Sequence, residues 1–268
     1  MPAGLPDPRR GLAGGLVALL LLTAPAAGQE AAPEPEAAAP SAANSETVLA
    51  EADAALNAGE TDRAIALYTS LLDQAELPIA AYPLLFVRRG AAFSTKGDLV
   101  EAMADFDSAA ELAPDDPDIR FYRGVAYLQS GDPDKAVAEL DRAIEDGLPN
   151  AAAYAARARA HFLRLDLEQS RLDVEAALRL DPQDALALAG RGEIALSQGR
   201  YRDAVRDLSA AIESQPALAQ AYRGRIAAHE ALGQWDQVKP DLARLYEMGD
   251  RSPQLLAKAK SYGVAMGE

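Results

Sequence analysis

Apolar residues recur at intervals of three and four through most of the chain from about residue 45 onward. In the segment Lys135–Ile144 this spacing places the apolar residues on one face of a helix, and Phe121–Gln129 before it has the same property. Between the two segments stands Gly131, a residue type that readily adopts the left-handed conformation that ends a helix. The pattern therefore predicts short amphipathic helices that glycine turns join in pairs.

The turns recur along the chain with one fixed period, which is the interval from Gly97 to Gly131. Gly199 and Gly233 share this phase, and Leu165 occupies the missing position between them. Small residues recur with the same period where the paired helices are expected to cross. They are Gly90, Gly124, Ala158 and Gly192 on the first helix, and Ala109, Ala143, Ala177 and Ala211 on the second. One pair of helices buries too little surface to fold alone, so the repeats are expected to stack into a solenoid.

The residue types at these recurring positions resemble the repeat pattern of the tetratricopeptide repeat family. The matching residues are a small–aromatic pair on the first helix, such as Gly124 with Tyr127, followed by the turn glycine, alanines and a closing proline such as Pro182. The resemblance covers about residues 45–251 and implies an all-α fold, a right-handed α-solenoid of about six helix–turn–helix repeats with a C-terminal capping helix. The units lie near 45–78, 83–116, 117–150, 151–184, 185–218 and 219–250, and the capping helix and tail occupy 251–268.

The N-terminal segment 1–28 has the layout of a secretory signal peptide. Arg9 and Arg10 form a short basic region, and the uncharged segment 11–28 ends in small residues that suit cleavage after Ala26 or Gly28. The alternative is an uncleaved anchor, because the uncharged segment reaches the lower limit for spanning a bilayer, about 17–25 residues. Segment 29–44 is rich in Ala, Pro and Glu and is expected to form a flexible acidic tether. We expect export to a bacterial periplasm or, if the anchor is kept, attachment to the inner membrane facing the periplasm.

Charge and residue types narrow the possible classes of function. Acids outnumber bases 41 to 26, giving a net charge of -15 at pH 7, which disfavours binding to nucleic acid or anionic membrane surfaces. The chain has no Cys and two histidines, His161 and His229, which share one repeat column and are expected to be packing residues. The segment Gly190–Ala195 resembles a dinucleotide fingerprint but falls inside a repeat helix, and His229-Glu230 lacks the second histidine of a zinc protease. We therefore expect no enzyme activity, no cofactor and no metal.

Five arginines also recur with the repeat period, and an acid follows each of them at one constant offset. The first unit lacks both members, with Glu51 and Leu67 in their places. This joint loss indicates that the two columns neutralise each other, within a unit or with the next one, and do not form a row of cations for an anionic ligand. The pairs are Arg89 and Asp105, Arg123 and Glu139, Arg157 and Asp173, Arg191 and Asp207, and Arg225 and Asp241.

In the resembled family, the first helices of successive repeats line a concave groove that binds a peptide or a partner helix. The predicted groove positions lie one step around each first helix from the small and aromatic residues. The predicted partner-binding residues are Phe121, Val125, Leu128, Arg159, Phe162, Glu193, Leu196 and Arg223, with Ala155, Ala189 and Glu230 on the same faces. Packing between repeats is the alternative role for Phe121 and Phe162.

Apolar groove positions with isolated charges of both signs suit an amphipathic helix or an extended segment of another protein. The predicted function is therefore that of a non-catalytic scaffold or adaptor of the cell envelope. The alternative is a structural module that associates with further copies of itself.

Overall fold

The computed structural model describes residues 45–73 and 77–264, so the predicted signal peptide and tether lie outside the described residues. Within these ranges the chain forms thirteen α-helices, a short 3-10 turn at Ile79–Ala81 and no strand. The predicted all-α fold of six helical pairs and a further C-terminal helix is confirmed. The helices are α1 (Ser45–Asn57), α2 (Thr61–Leu72), α3 (Tyr82–Lys96), α4 (Leu99–Leu112), α5 (Pro117–Gln129), α6 (Pro133–Glu145), α7 (Ala151–Leu163), α8 (Leu167–Leu180), α9 (Ala185–Ser197), α10 (Tyr201–Ser214), α11 (Ala219–Ala231), α12 (Trp235–Glu247) and α13 (Pro253–Ser261).

The thirteen helices divide into first helices, second helices and one capping helix. The odd-numbered helices from α1 to α11 are the first helices of the six pairs, the even-numbered ones are the second helices, and α13 is the capping helix. None of these helices is both long enough and apolar enough to cross a membrane.

Short polar side chains explain where three of the first helices begin. The carboxylate of Asp116 accepts a hydrogen bond from the backbone N–H of Asp118 at 3.0 Å, and Asp184 accepts one from Ala187 at 2.7 Å. Asn150 caps α7 in the same way. Such a side chain satisfies one of the N–H groups that have no partner within the helix. The polar residues between successive pairs therefore set the starts of α5, α7 and α9.

The turn inside each pair needs one residue in the left-handed conformation. Gly97, Gly131, Gly199 and Gly233 fill this position with φ between 70° and 95°. Leu165 adopts the same conformation, with φ 65°, although it costs a residue with a side chain about 1–2 kcal/mol. The Leu165 side chain is 81% exposed, so packing does not offset that strain. The repeat geometry overrides the local preference at this turn.

Small residues at the helix crossings let the two helices of a pair approach closely. A Cβ atom added at Gly124 would lie 2.7 Å from Cγ of Leu140, and one added at Gly192 would lie 2.6 Å from Cγ of Leu208. Gly90 stands equally close to the second helix of its own pair. Leu140 and Leu208 are fully buried and have no room to move away. The crossing distance therefore depends on the absence of a side chain at these positions.

Successive pairs stack with their first helices on the inner side of the array. Each second helix packs against the first helix of the next pair, and the first helices from α3 to α11 also contact one another in succession. No comparable contact joins successive second helices in the described part of the chain. The array therefore curves toward its first helices, and the inner face that α3, α5, α7, α9 and α11 form is the groove.

Candidate functional site

The repeated arginine and acid columns form ion pairs inside each helical pair. The arginine lies on the first helix and the acid on the second, and four of the five pairs are bidentate. In the pair of Arg157 and Asp173, the Nε–Oδ2 distance is 2.8 Å and the Nη2–Oδ1 distance is 2.7 Å. The pair of Arg123 and Glu139 is looser, at 3.5 Å. The predicted mutual neutralisation is confirmed, and it takes place within the unit.

Some of these arginines also reach the preceding pair of helices. Arg157 Nη1 donates to Asp141 Oδ1 at 2.7 Å, and Arg225 Nη1 donates to Ser209 Oγ at 3.0 Å. The hydrogen bond to Asp173 raises the pKa of the Arg157 guanidinium. Each such arginine therefore joins the second helices of two successive units. This engagement explains why the column supports stacking and does not present cations to an anionic ligand.

The predicted groove residues of the third unit are buried. Phe121 and Val125 are 2% and 1% exposed, and Leu128 is 8% exposed. The ring of Phe121 packs edge-on against Tyr122, with 5.3 Å between the ring centroids. All three belong to the apolar core that joins the second, third and fourth units. The expectation that these side chains form an accessible groove surface is therefore wrong for this structure, because packing between neighbouring units covers them.

The fourth and fifth units bring the predicted charged groove residues together. Arg159 on α7 forms an ion pair with Glu193 on α9, and Gln220 on α11 also hydrogen-bonds Glu193. Burial raises the pKa of the Glu193 carboxyl, even though Arg159 acts in the opposite direction. The guanidinium carbon of Arg159 lies 5.8 Å from the centroid of the Phe162 ring. Three successive first helices thus meet at one polar contact beside an aromatic ring.

A narrow pocket lies beside this ion pair, with Phe162, Leu186 and Glu193 among its lining residues. Its free space is that of about one water molecule. Phe162 is half-buried, and Leu196 is half-buried one turn after Glu193 on the same face of α9. Apolar surface is therefore available at this part of the groove, while the ion pair between Arg159 and Glu193 keeps the pocket almost closed.

The predicted charged residues at the C-terminal end of the groove hold the capping helix. Arg223 pairs with Asp250, just before α13, at 2.8 Å. Glu230 accepts hydrogen bonds from Lys258 Nζ at 2.8 Å and from the Tyr262 hydroxyl at 2.9 Å. Although burial opposes the effect, the hydrogen bond from Arg223 lowers the pKa of Asp250. Arg223 and Glu230 are therefore engaged within the chain.

Two lining residues were missed although the sequence carried a signal for them. Leu186 and Gln220 are one repeat period apart, and each lies three positions before a groove residue, Ala189 and Arg223 respectively. That spacing places them on the same helix face. Lys258, which contacts the predicted groove residue Glu230, could not be found in this way. It follows the last repeat, so the repeat period does not constrain its position.

The two histidines are buried or half-buried and lie beside polar side chains of the same chain. His229 is buried, and its Nδ1 lies 2.7 Å from Oε1 of Gln234. His161 is half-buried, with Nε2 3.9 Å from Oδ2 of Asp173. Across residues 45–73 and 77–264, no three His, Cys, Asp or Glu side chains converge in a way that could hold a metal ion.

Solved structures with the same architecture show how far the fold is shared. A chain in the crystal structure of the APC/C hetero-tetramer Cut9-Hcn1 is similar with a TM-score of 0.69 and 13% identity, over 81% of this chain and 42% of that one. This chain therefore spans less than half the length of that relative. PilW, described as a widely conserved type IV pilus biogenesis factor, is similar with a TM-score of 0.61 and 17% identity, over 80% of this chain and 97% of PilW. A tetratricopeptide repeat protein from Parabacteroides merdae has a TM-score of 0.56 and 16% identity, over 83% of this chain and 86% of that one.

Sequence comparison identifies the repeats directly. No curated protein matches this chain significantly. Family models described as tetratricopeptide repeat match residues 95–160 and residues 49–117, 164–201 and 189–237, which together make up more than half of the chain. Repeats of this kind generally form non-catalytic scaffolds that bind other proteins or peptides. The chain therefore belongs to the tetratricopeptide repeat family.

Proposed function

We propose that this chain is a non-catalytic adaptor of the bacterial cell envelope, which binds a peptide or helix of another protein at the fourth and fifth units of its groove. The observation that carries the proposal is the groove cluster, composed of Arg159, Phe162, Glu193 and Leu196. It combines half-buried apolar side chains with one pair of opposite charges on adjacent helices. An amphipathic helix or an extended segment supplies apolar anchors and polar groups at matching intervals.

The ion pair of the groove cluster can be exchanged for contacts with a partner at small cost. Burial disfavours the charged form of Glu193, and a buried ion pair gives little net stability because desolvation offsets the attraction. A partner segment that hydrogen-bonds both Arg159 and Glu193 leaves neither charge unpaired. Its apolar side chains can then cover Phe162 and Leu196. We therefore expect a partner segment with polar groups beside apolar anchors.

The double substitution Arg159→Ala and Phe162→Ala tests the groove cluster. The partner is first identified by crosslinking in native envelopes and mass spectrometry, and its affinity for the purified chain is then measured. Truncating a central interface residue costs about 2 kcal/mol or more, so we expect the double variant to bind more than about tenfold more weakly. Phe162 packs at the edge of the buried cluster of Ala158, Val174 and Ile194, and Arg159 pairs with Glu193, so the double variant should be less stable. Helicity by circular dichroism should stay unchanged at 25 °C, because Phe162 is only half-buried and the helix backbones are not altered.

Arg171→Ala combined with Leu172→Ala is the matched control. It removes the same charge and a similarly large apolar side chain from the second helix α8, where Leu172 is exposed and Arg171 pairs with Glu168 at 2.6 Å. This variant should bind the partner normally. Equal affinities of the groove variant, the control and the unaltered chain would refute the assignment. A mass that rises with concentration in light scattering, without any captured partner, would favour the self-associating alternative.

Export rests on the N-terminal segment, where Arg9 and Arg10 precede the uncharged stretch 11–28. We expect the chain recovered from the periplasm to begin at Ala27 or Gln29, as cleavage after Ala26 or Gly28 requires. Intact-mass measurement of the fractionated protein checks this expectation. Retention of segment 1–28 in the inner-membrane fraction would favour the anchored alternative. A full-length chain confined to the cytoplasm would contradict both.

A further inference from the structure

Two exposed leucines stand at the end of α7, where the other repeats have polar or small residues. Leu163 is the last residue of α7, and Leu165 occupies the turn two positions later. Leu163 is 42% exposed and Leu165 is 81% exposed. We call these two residues the leucine lip. The equivalent residues of the other units are Asn57, Thr95, Gln129, Ser197 and Ala231 at the helix end, and Gly59, Gly97, Gly131, Gly199 and Gly233 in the turn.

The side chain of Leu165 is held in an unfavourable backbone conformation that packing does not offset. Its φ of 65° lies in the left-handed region, which disfavours any residue with a Cβ atom. Glycine avoids this strain, and the other five units have glycine at the same position. Because the Leu165 side chain is largely exposed, it adds little to the core. Strain without a structural benefit indicates a contact that Leu165 makes outside the chain.

The leucine lip adjoins the apolar part of the groove cluster. Phe162 directly precedes Leu163, and Leu196 has on α9 the position that Phe162 has on α7, one repeat period later. The side chains of Phe162 and Leu196 are both half-buried. In the third unit the equivalent residue, Leu128, is buried in the core. The exposed leucines therefore occur in the same unit as an accessible aromatic residue of the groove.

The charges beside the leucine lip have a negative balance. Nε of Arg164, the residue between the two leucines, lies 3.2 Å from Oδ1 of Asp134 and 3.3 Å from Oδ2 of Asp166. Two carboxylates thus share one guanidinium, and the Asp134 side chain is largely exposed. Asp132 and Lys135 neutralise each other at 2.9 Å. The net charge of the whole chain, -15, adds attraction for a cationic partner.

We propose that the leucine lip extends the groove cluster and that the two surfaces together bind a basic amphipathic helix of a partner protein. This inference rests on the proposed function, because one partner segment covers both surfaces. A protruding leucine fits the hole between the side chains of a facing helix, as a knob does in a coiled coil. Apolar residues at intervals of three and four on the partner helix cover Leu163, Leu165 and Phe162. Lysine or arginine residues beside them pair with Asp134 and Asp166.

A model peptide of leucine and lysine tests the chemistry of the partner. The peptide has about 18 residues, or about five helical turns, with leucines on one face and a fluorescent label at one end. An isomer of the same composition without an apolar face, and a peptide with glutamate in place of lysine, are the comparisons. The anisotropy of the leucine–lysine peptide should rise saturably with the concentration of the purified chain. Both comparison peptides should bind at least about tenfold more weakly.

The lip variant, Leu163→Gln combined with Leu165→Gly, gives the fourth unit the residues that the third unit has at these positions. It should bind the leucine–lysine peptide at least about tenfold more weakly, because two exposed apolar contacts are lost. Leu165→Gly alone should also weaken binding, yet raise the melting temperature by about 2 °C, since glycine relieves the strain of the turn. A purely structural role of Leu165 would instead make its loss destabilising.

Leu180→Gln is the matched control for the lip variant. Leu180 is also an exposed leucine, but it lies at the opposite end of α8 from the turn that contains Leu165. This control should bind the leucine–lysine peptide normally. Equal losses in the lip variant and the control, equal binding of the three peptides, or a lower melting temperature of Leu165→Gly would each overturn the proposal.

Crosslinking locates the bound peptide without relying on affinity. The chain has no cysteine, so Leu165→Cys provides a single attachment point for a benzophenone crosslinker, and Leu180→Cys serves as its control. Crosslinks to the leucine–lysine peptide from position 165 but not from position 180 support the lip. If Arg159→Ala with Phe162→Ala weakens binding of the native partner while the lip variant binds it normally, the lip is refuted and the proposed function stands. Normal binding of that partner by both variants would refute the two together.

Discussion

Asp173→Ala is expected to lower the free energy of unfolding by about 3 kcal/mol, a large effect for one substitution outside the apolar core. Breaking a buried ion pair by removing one partner costs about 3–5 kcal/mol, because the remaining charge is left without compensation. The Asp173 carboxylate is buried and accepts two hydrogen bonds from Arg157. The lower end of the range applies because Asp141 still contacts Arg157 in the variant. Urea unfolding followed by the helical circular dichroism signal measures the loss.

Glu168→Ala is the control for this prediction. Glu168 lies on the same helix, α8, and also pairs with an arginine, Arg171, but both side chains are substantially exposed to solvent. Exposed ion pairs contribute about 0–1 kcal/mol, so this substitution should change stability by less than about 1 kcal/mol. If Asp173→Ala and Glu168→Ala destabilise the chain equally, the arginine and acid columns are surface charges and do not hold the stack together.

Gly192→Ala should destabilise the chain by about 1–3 kcal/mol despite the better helix propensity of alanine. The added Cβ would lie 2.6 Å from Cγ of Leu208, a branching carbon that cannot swing away without moving the whole side chain. Leu208 is fully buried, so the two helices of the fifth pair must separate. Gly190→Ala on the same helix is the matched control, because it gains the same propensity but meets only Cγ2 of Val174 at 3.2 Å. Urea unfolding of both variants measures the difference.

A double substitution separates steric overlap from other causes. Leu208→Ala alone should cost about 2–5 kcal/mol, because it leaves a cavity in the core. In the presence of Leu208→Ala, the added methyl at position 192 no longer meets a Cγ atom. The two losses should therefore sum to clearly more than the loss of the double variant. Additive losses, or equal effects of Gly192→Ala and Gly190→Ala, would show that close approach at Gly192 does not set the helix crossing.

Besides the six helical pairs and the capping helix, the side-chain contacts that the sequence predicted correctly lie within one repeat. Gly124 and Gly192 identified the helix crossings, and the constant offset between Arg157 and Asp173 identified the ion pairs. Both depend on residues at fixed spacing on two joined helices, so the period alone was sufficient to locate them. The turn at Leu165 also follows from its place in the repeat. It keeps the left-handed backbone conformation although leucine disfavours that conformation.

The candidate site was predicted less completely, because it depends on contacts between repeats. Phe121 and Val125 share a helix face with the groove, yet packing between the second, third and fourth units buries them. At the equivalent positions of the fourth and fifth units, Arg159 and Glu193 pair with each other. Helix periodicity assigns a residue to a face, but it does not say how closely the neighbouring helix approaches that face.

The sequence by itself determined the all-helical class, the six pairs, the turns and the internal ion pairs, since regular spacing along one chain controls each of them. Only the tertiary structure decided which inner-face side chains remain open and which are engaged. Arg223 and Glu230 hold the capping helix, Arg159 and Glu193 nearly close a pocket, and Phe162 stays half-buried. The physical reason is that side chains from different repeats compete for the same inner surface, and the distances between stacked helices decide the outcome.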